Sequence, residues 1–155
     1  MGLKIYFCGS ISGGRGDAEL YCQIVEHMKT YGTVLTEHVA SLKQTADGRV
    51  GPDGNLSATE IHDRDIEWLT DSDVVVAEVT TPSLGVGYEI GRALDMGKNI
   101  LCLFRDDAGR RLSAMIDGAQ SSNNNISVKR YIAISDALEY VSGFLKKSQN
   151  KNAAV

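Results

Sequence analysis

Short apolar runs alternate with amphipathic segments along the whole chain. Leu3 to Cys8 is an apolar run closed by glycine and serine, which predicts a first strand. From Asp17 to Tyr31, Leu20, Tyr21, Ile24, Val25 and Met28 recur at spacings of three and four, the stripe of an amphipathic helix. Thr33 to Val39 reads as a second strand. Residues 41–56 hold four glycines or prolines and read as a long loop, of the kind that is often functional or mobile. Ser57-Ala58-Thr59-Glu60 has the capping-box pattern and opens a second helix that ends near Thr70. Asp73 to Val79, with Val74, Val75, Val76 and Ala77, predicts a central parallel strand buried on both faces. After a Thr-Pro-Ser turn, a third helix is expected from about Gly85 to Met96. Asn99 to Phe104 is a fourth strand, Leu112 to Gly118 a short helix and Ile126 to Ile132 a fifth strand. Ser135 can cap a last helix that includes Leu138, Val141 and Leu145.

Five strand–helix units without a repeat or linker predict a single-domain α/β fold. Right-handed crossovers make it a Rossmann- or flavodoxin-like three-layer sandwich, its parallel sheet ordered 2-1-3-4-5. Ligands in such sheets bind at the carboxyl ends of the strands where the order reverses, here strands one and three. The domain is expected over residues 1–147. The polar and then small residues 148–155 read as a disordered tail.

At 155 residues the chain can bury a core without disulfides or metals. Its three cysteines, Cys8, Cys22 and Cys102, form no C-x-x-C, so neither a disulfide framework nor a zinc site is expected. Cys8 and Cys102 sit in apolar runs and read as core thiols. Such usage fits a reducing, intracellular compartment, cytoplasm or nucleus, although no nuclear import signal is identified. The net charge of −4 argues against a nucleic-acid-binding face while leaving room for a small anion. No signal peptide is visible and no apolar run approaches the length of a membrane helix. His27, His38 and His62 lack metal-ligand spacing, and no metal or cofactor is expected.

Three segments converge on the expected crevice. The first runs through Tyr6, Gly9, Ser10, Ile11, Ser12, Gly13, Gly14 and Arg15. Its glycines allow close backbone approach and its serines and amides can hold an anion, or it is simply a flexible connection. Tyr6 is either core with its hydroxyl satisfied or part of the site. The second segment is Thr80 to Glu89. Helix-start amides there favour a phosphate, and Ser83 can be an N-cap, a ligand contact or both. Glu89 either complements the helix dipole or faces the crevice. In the third, Ile61 to Leu69, Asp65 falls between Ile61, Trp68 and Leu69 on a helical wheel, whereas Asp63 and Glu67 face elsewhere and are expected in solvent. An acid in an apolar stripe is costly without partners; it is either a buried structural acid or a functional one. His38, ending the second strand, is a ligand contact or a structural histidine. Ser113, in Leu112-Ser113-Ala114-Met115, donates to an anion or caps the short helix.

Taken together these segments resemble the deoxynucleoside 5′-monophosphate N-glycosidases, the Rcl-type relatives of nucleoside deoxyribosyltransferases. The stretches that carry the resemblance are YFCGS-I-x-GGR at Tyr6–Arg15, LTEHV at Leu35–Val39 and IH-x-x-D-x-x-WL at Ile61–Leu69. Further along come DVVVAEVT-x-PSLGVGYE at Asp73–Glu89, then ILCLFR and LSAMI within Ile100–Ile116. The resemblance implies hydrolysis of the base–sugar bond of 2′-deoxynucleoside 5′-monophosphates. It implies Glu89 as nucleophile, Asp65 as acid–base residue and Tyr6 as the group that orients Glu89 and the sugar. Ser10, Ser83, the Gly85 amide and Ser113 are implied as a phosphate cradle, within a wider substrate-binding set of Gly9, Ile11, Ser12, Gly13, Gly14, Arg15, His38 and Met115. It also implies a homodimer in which Ser113 completes the neighbour's site. Two departures stand out: Ser12 lies where many relatives have arginine, with Arg15 left nearby, and the 41–56 loop has no match. The alternatives are a nucleoside 2′-deoxyribosyltransferase and a non-catalytic nucleotide-sensing module.

Overall fold

A computed structural model describes residues 2–11, 17–40, 55–122 and 125–154. Ser12, Gly13, Gly14 and Arg15 of the glycine-rich segment, and 41–54 of the long loop, lie outside the described residues. Five strands form one parallel sheet in the order β2-β1-β3-β4-β5, as the alternation of runs predicts. They are β1 (Leu3–Cys8), β2 (Gly32–Val34), β3 (Val74–Glu78), β4 (Asn99–Arg105) and β5 (Ile126–Tyr131). The helices are α1 (Ala18–Lys29), α2 (Ala58–Asp71), α3 (Leu84–Asp95), α4 (Ala114–Ser122) and α5 (Ile134–Ala153).

Side-chain alternation along the strands splits the core into two layers. On one face, Leu3, Ile5 and Phe7 of β1 and Val74 and Val76 of β3 pack against Ile24 and Met28 of α1 and Ala137 and Val141 of α5. On the other, Tyr6, Cys8, Val75 and Ala77 pack against Leu69 of α2 and Val86, Ile90 and Ala93 of α3, with Ile116 and Ala119 of α4 beside them. All five residues of β3 are buried, as a strand covered on both faces requires. The register sets Tyr6 beside Val75 and Cys8 beside Ala77, so the α3-facing row of β1 is held at the centre of the sheet.

Three elements differ from the sequence expectation. Strand β2 stops at Val34 because the Thr36 hydroxyl takes over the ladder. It accepts from the Phe7 amide and donates to the Phe7 carbonyl, both at 2.8 Å. His38 therefore sits in a 3₁₀ turn, Glu37–Ala40, and does not end a strand. Helix α5 is capped by Ala133 and begins at Ile134, so Ser135 lies inside its first turn. The same helix continues to Ala153, through residues read as a tail. Ser148 is buried with its hydroxyl on the Phe144 carbonyl, and the Gln149 amide reaches the Tyr31 carbonyl at 3.0 Å, docking the last turns onto the α1–β2 corner. The capping box at α2 is formed as its sequence predicts, with reciprocal bonds between Ser57 and Glu60.

Entry into β2 depends on a residue without a side chain. A Cβ on Gly32 would stand 2.0 Å from the Leu3 carbonyl oxygen, a backbone atom that cannot swing aside. Gly32→Ala is expected to destabilise the fold by about 3 kcal/mol or more, at the upper end of overpacking costs. Urea denaturation checks this: the midpoint falls if the β1–β2 approach is as close as described.

Candidate active site

Two helices from different parts of the chain bring two acids to one cavity. Ser83 caps α3, its hydroxyl accepting from the Val86 amide at 3.3 Å. Glu89 follows in the second turn, part-buried between α3 and β1. Asp65 lies on α2, on the stripe with Ile61 and the fully buried Leu69. A cavity of about 290 Å³ is lined by both acids together with Ala58, Ile61, His62, Ile66, Gly85 and Tyr88. Asp63 and Glu67 are exposed, as the wheel predicts.

Burial is the largest influence on Glu89 and pushes its carboxyl up to about 7. The Cys8 thiol, as a hydrogen-bond donor, pulls the other way, the Asp65 charge raises it again and the Tyr6 hydroxyl lowers it. Both donors stand on the same face of β1, one pleat apart, and each is 1 % exposed. Burial and the Glu89 charge push Tyr6 and Cys8 well above their usual values, so both stay protonated and able to donate. Asp65 has a partner of its own: its Oδ1 accepts from Arg64 Nη2 at 2.7 Å and Nε at 3.0 Å. The Arg64 guanidinium stacks 4.6 Å from the Trp68 ring centre, and Trp68 lies 5.4 Å from the His38 ring. His38 is thus near the acid side through Trp68 and Arg64 and does not line the acid cavity.

The expected phosphate residues divide between two places. Gly85 joins the acids in their cavity, and its amide has no acceptor among the described residues. Ser83, Ser113 and Met115 line a separate groove of about 530 Å³ on the other side of the first turn of α3, with Thr81, Val86 and Ile116. Ser113 immediately precedes α4, its carbonyl accepting from Ile116 and Asp117, and is exposed. Ser10 is buried, its amide donating to the Tyr21 hydroxyl at 3.1 Å. Gly9 has a packing reason: a Cβ there would meet the Tyr21 ring at 2.8 Å. Ile11 is part-buried at the edge of the described residues.

Reading the sequence as elements missed two site features. Cys8 is a core thiol, as its apolar run predicts, and strand alternation from Tyr6 also sets it on the face of Glu89. The cavity rim was also missed: His62 Nε2 meets the Tyr88 hydroxyl at 2.9 Å, and Arg92 donates to that hydroxyl at 2.8 Å. His62 and Tyr88 are 26 positions apart, which leaves no local pattern for that contact.

With this geometry in view, the comparisons with known proteins agree among themselves. The family model described as nucleoside 2-deoxyribosyltransferase matches residues 5–128. A Trichoplax adhaerens protein named putative 2′-deoxynucleoside 5′-phosphate N-hydrolase 1 is 59% identical over 122 residues, 78% of this chain and 79% of its own length. The 5-hydroxymethyl-dUMP N-hydrolase of Tetraodon nigroviridis is 57% identical over 79% of this chain and 84% of its own, and the human protein of that name 58% identical over 74% and 64%. Among solved structures, a CMP N-glycosidase of Clostridium botulinum superposes with a TM-score of 0.61 at 17% identity, covering 91% of this chain and 98% of its own, which shows a shared fold. A match over most of the chain at this level of identity makes the protein a member of the nucleoside 2-deoxyribosyltransferase family.

Proposed function

We propose that this chain hydrolyses the N-glycosidic bond of 2′-deoxynucleoside 5′-monophosphates, giving free base and 2-deoxyribose 5-phosphate. The observation that carries the reading is the shared cavity of Asp65 and Glu89, with Glu89 raised towards neutrality. The substrate class is supported by the names of relatives 56–59% identical to this chain.

Breaking the base–sugar bond leaves positive charge on the anomeric carbon, which a close carboxylate stabilises and can trap. Glu89 is the nucleophile in this reading. Its carboxylate oxygen bonds to the anomeric carbon as the electron pair of the C–N bond leaves with the base. Asp65 first takes a proton from solvent on Oδ2, since Arg64 holds Oδ1, and then passes that proton to the departing base. Asp65 then takes a proton from water, whose oxygen bonds to the anomeric carbon and releases Glu89. Tyr6 orients the Glu89 carboxylate from below. The phosphate, held by the Gly85 amide and the serines of the cradle, supplies binding energy away from the reacting bond and keeps the sugar in register. His38 contributes to binding from beside Trp68.

A second copy of the chain is the partner in this reading. Leu84 is 96% exposed and Met115 83%, and both flank the groove that holds Ser83 and Ser113. Large apolar side chains rimming a groove that also carries phosphate-type donors fit a homodimer in which Ser113 serves the neighbouring site. Among the described residues no helix is long and apolar enough to cross a membrane; a reducing cytoplasmic or nuclear setting is proposed from the free thiols.

Release of free base from a panel of deoxynucleoside monophosphates tests the reading directly, and a free acceptor base added to the same assay separates hydrolysis from transfer to a second base. Glu89→Ala is expected to lose about a hundredfold or more in turnover, and Asp65→Asn to lose hydrolysis with the fold preserved; near-native rates in either remove that residue's role. Glu89 acts only when deprotonated, so kcat/KM is expected to climb as pH rises towards about 7. A flat profile from pH 6 to 8 contradicts the assignment. Sedimentation is expected to show a dimer that Leu84→Asp converts to monomer with loss of activity; a monomeric, active wild type removes the shared site.

A further inference from the structure

Across the sheet from the acids lies a buried polar cluster that the proposed chemistry does not use. Glu78, at the end of β3, has no exposure. Its Oε1 accepts from the Thr80 amide at 2.7 Å and its Oε2 from the Tyr131 hydroxyl at 2.9 Å. The Thr80 hydroxyl accepts from the Arg105 amide at 2.8 Å. Thr81 then donates to Asp17 Oδ2 at 3.0 Å, and Arg105 Nη2 donates to Asp17 Oδ1 at 3.0 Å. Both oxygens of Asp17 are thereby engaged, one by the loop that enters α3 and one by the end of β4.

The two ends of this cluster lead to the two described halves of the expected phosphate site. Thr81 precedes Ser83, the cap of α3, by two residues. Asp17 precedes α1, whose Tyr21 receives the Ser10 amide and fills the space beside Gly9. One side-chain hydroxyl thus joins the segment carrying Ser83 to the helix that holds Ser10. Buried carboxylates are a poor way to gain stability, because desolvation takes back much of the attraction. What a fully hydrogen-bonded network supplies is a fixed distance.

We propose that the Thr81–Asp17 bond, braced by Arg105 and Glu78, is a clamp that sets the spacing of the two phosphate-holding segments, making Thr81 a positioning residue for the phosphate and not for the sugar. This rests on the reading of the substrate as a monophosphate. Thr81 acts through Ser83 and Asp17. Arg105 meanwhile neutralises a carboxylate that would otherwise repel the phosphate.

The test is calorimetric titration of the full chain with 2-deoxyribose 5-phosphate and with 2-deoxyribose. Wild type is expected to prefer the phosphorylated sugar. Thr81→Val, which removes the hydroxyl and keeps the shape, is expected to cut that preference about tenfold, the worth of one charge-assisted hydrogen bond, with sugar affinity unchanged. Thr81→Ser is expected to restore it. Thr81→Ala gives the same readout if the valine variant does not fold. An unchanged preference in the valine or alanine variant overturns the clamp, as does equal weakening for both ligands. If wild type shows no preference for phosphate, the clamp falls with the phosphate part of the functional reading, while base release still decides whether hydrolysis stands.

Discussion

A carboxylate taken out of water needs donors, and Glu89 is met from β1 by two neutral ones, the Cys8 thiol and the Tyr6 hydroxyl. Neither carries a charge that would offset burial fully, and Asp65 across the cavity adds repulsion. The group therefore rests near neutrality, where a small change of surroundings moves its proton. Everything else at the site serves that placement. The pleat of β1 sets both donors on one side, in the row that packs against α2 and α3, and pairing with β2 and β3 along its two edges holds the strand in place. Helix α2 then closes the cavity, bringing an acid whose own charge is already tied to Arg64.

The sheet also separates two tasks. On the α2–α3 face the polar groups are few and incompletely compensated, as a reacting centre requires. On the α1–α5 face Glu78, Tyr131, Asp17, Arg105 and the two threonines satisfy one another. Each layer costs stability in desolvated polar groups, but one keeps a carboxylate poised and the other holds backbone segments at fixed separation. The loop from Thr80 to Ser83 belongs to both, since it begins on the Glu78 carboxylate and ends as the cap of the helix that carries Glu89.

The sheet order and the helix stripes were legible because burial on one or two faces writes a period into the chain. The Ser57 box and the all-valine β3 run announced their elements in the same way. What escaped was decided by contacts distant in sequence. Thr36 ends β2 with its own hydroxyl on Phe7, 29 positions away, and no local pattern distinguishes that from one more strand residue. The last turns of α5 look like a polar tail until the Tyr31 carbonyl is seen to receive Gln149. Glu89 stood out by its place over the crevice and by the family resemblance, and Asp65 because an acid in an apolar stripe violates the pattern around it. Glu78 violates it as strongly, yet it ends an apolar strand and so passes for the start of a loop.

Cys8 shows how a residue consistent with the core can still belong to the chemistry. A thiol fills the α3-facing row of β1 as a small apolar group, so sequence patterning has no reason to single it out. It is also a weak donor. Placed beside a buried carboxylate, it offsets part of the burial that pushes Glu89 up, and by more than the Tyr6 hydroxyl does. In the proposed reaction the nucleophile must be both oriented and basic, demands that a strong donor sets against each other. Tyr6 and Cys8 share them, the thiol lowering the Glu89 carboxyl more than the hydroxyl does.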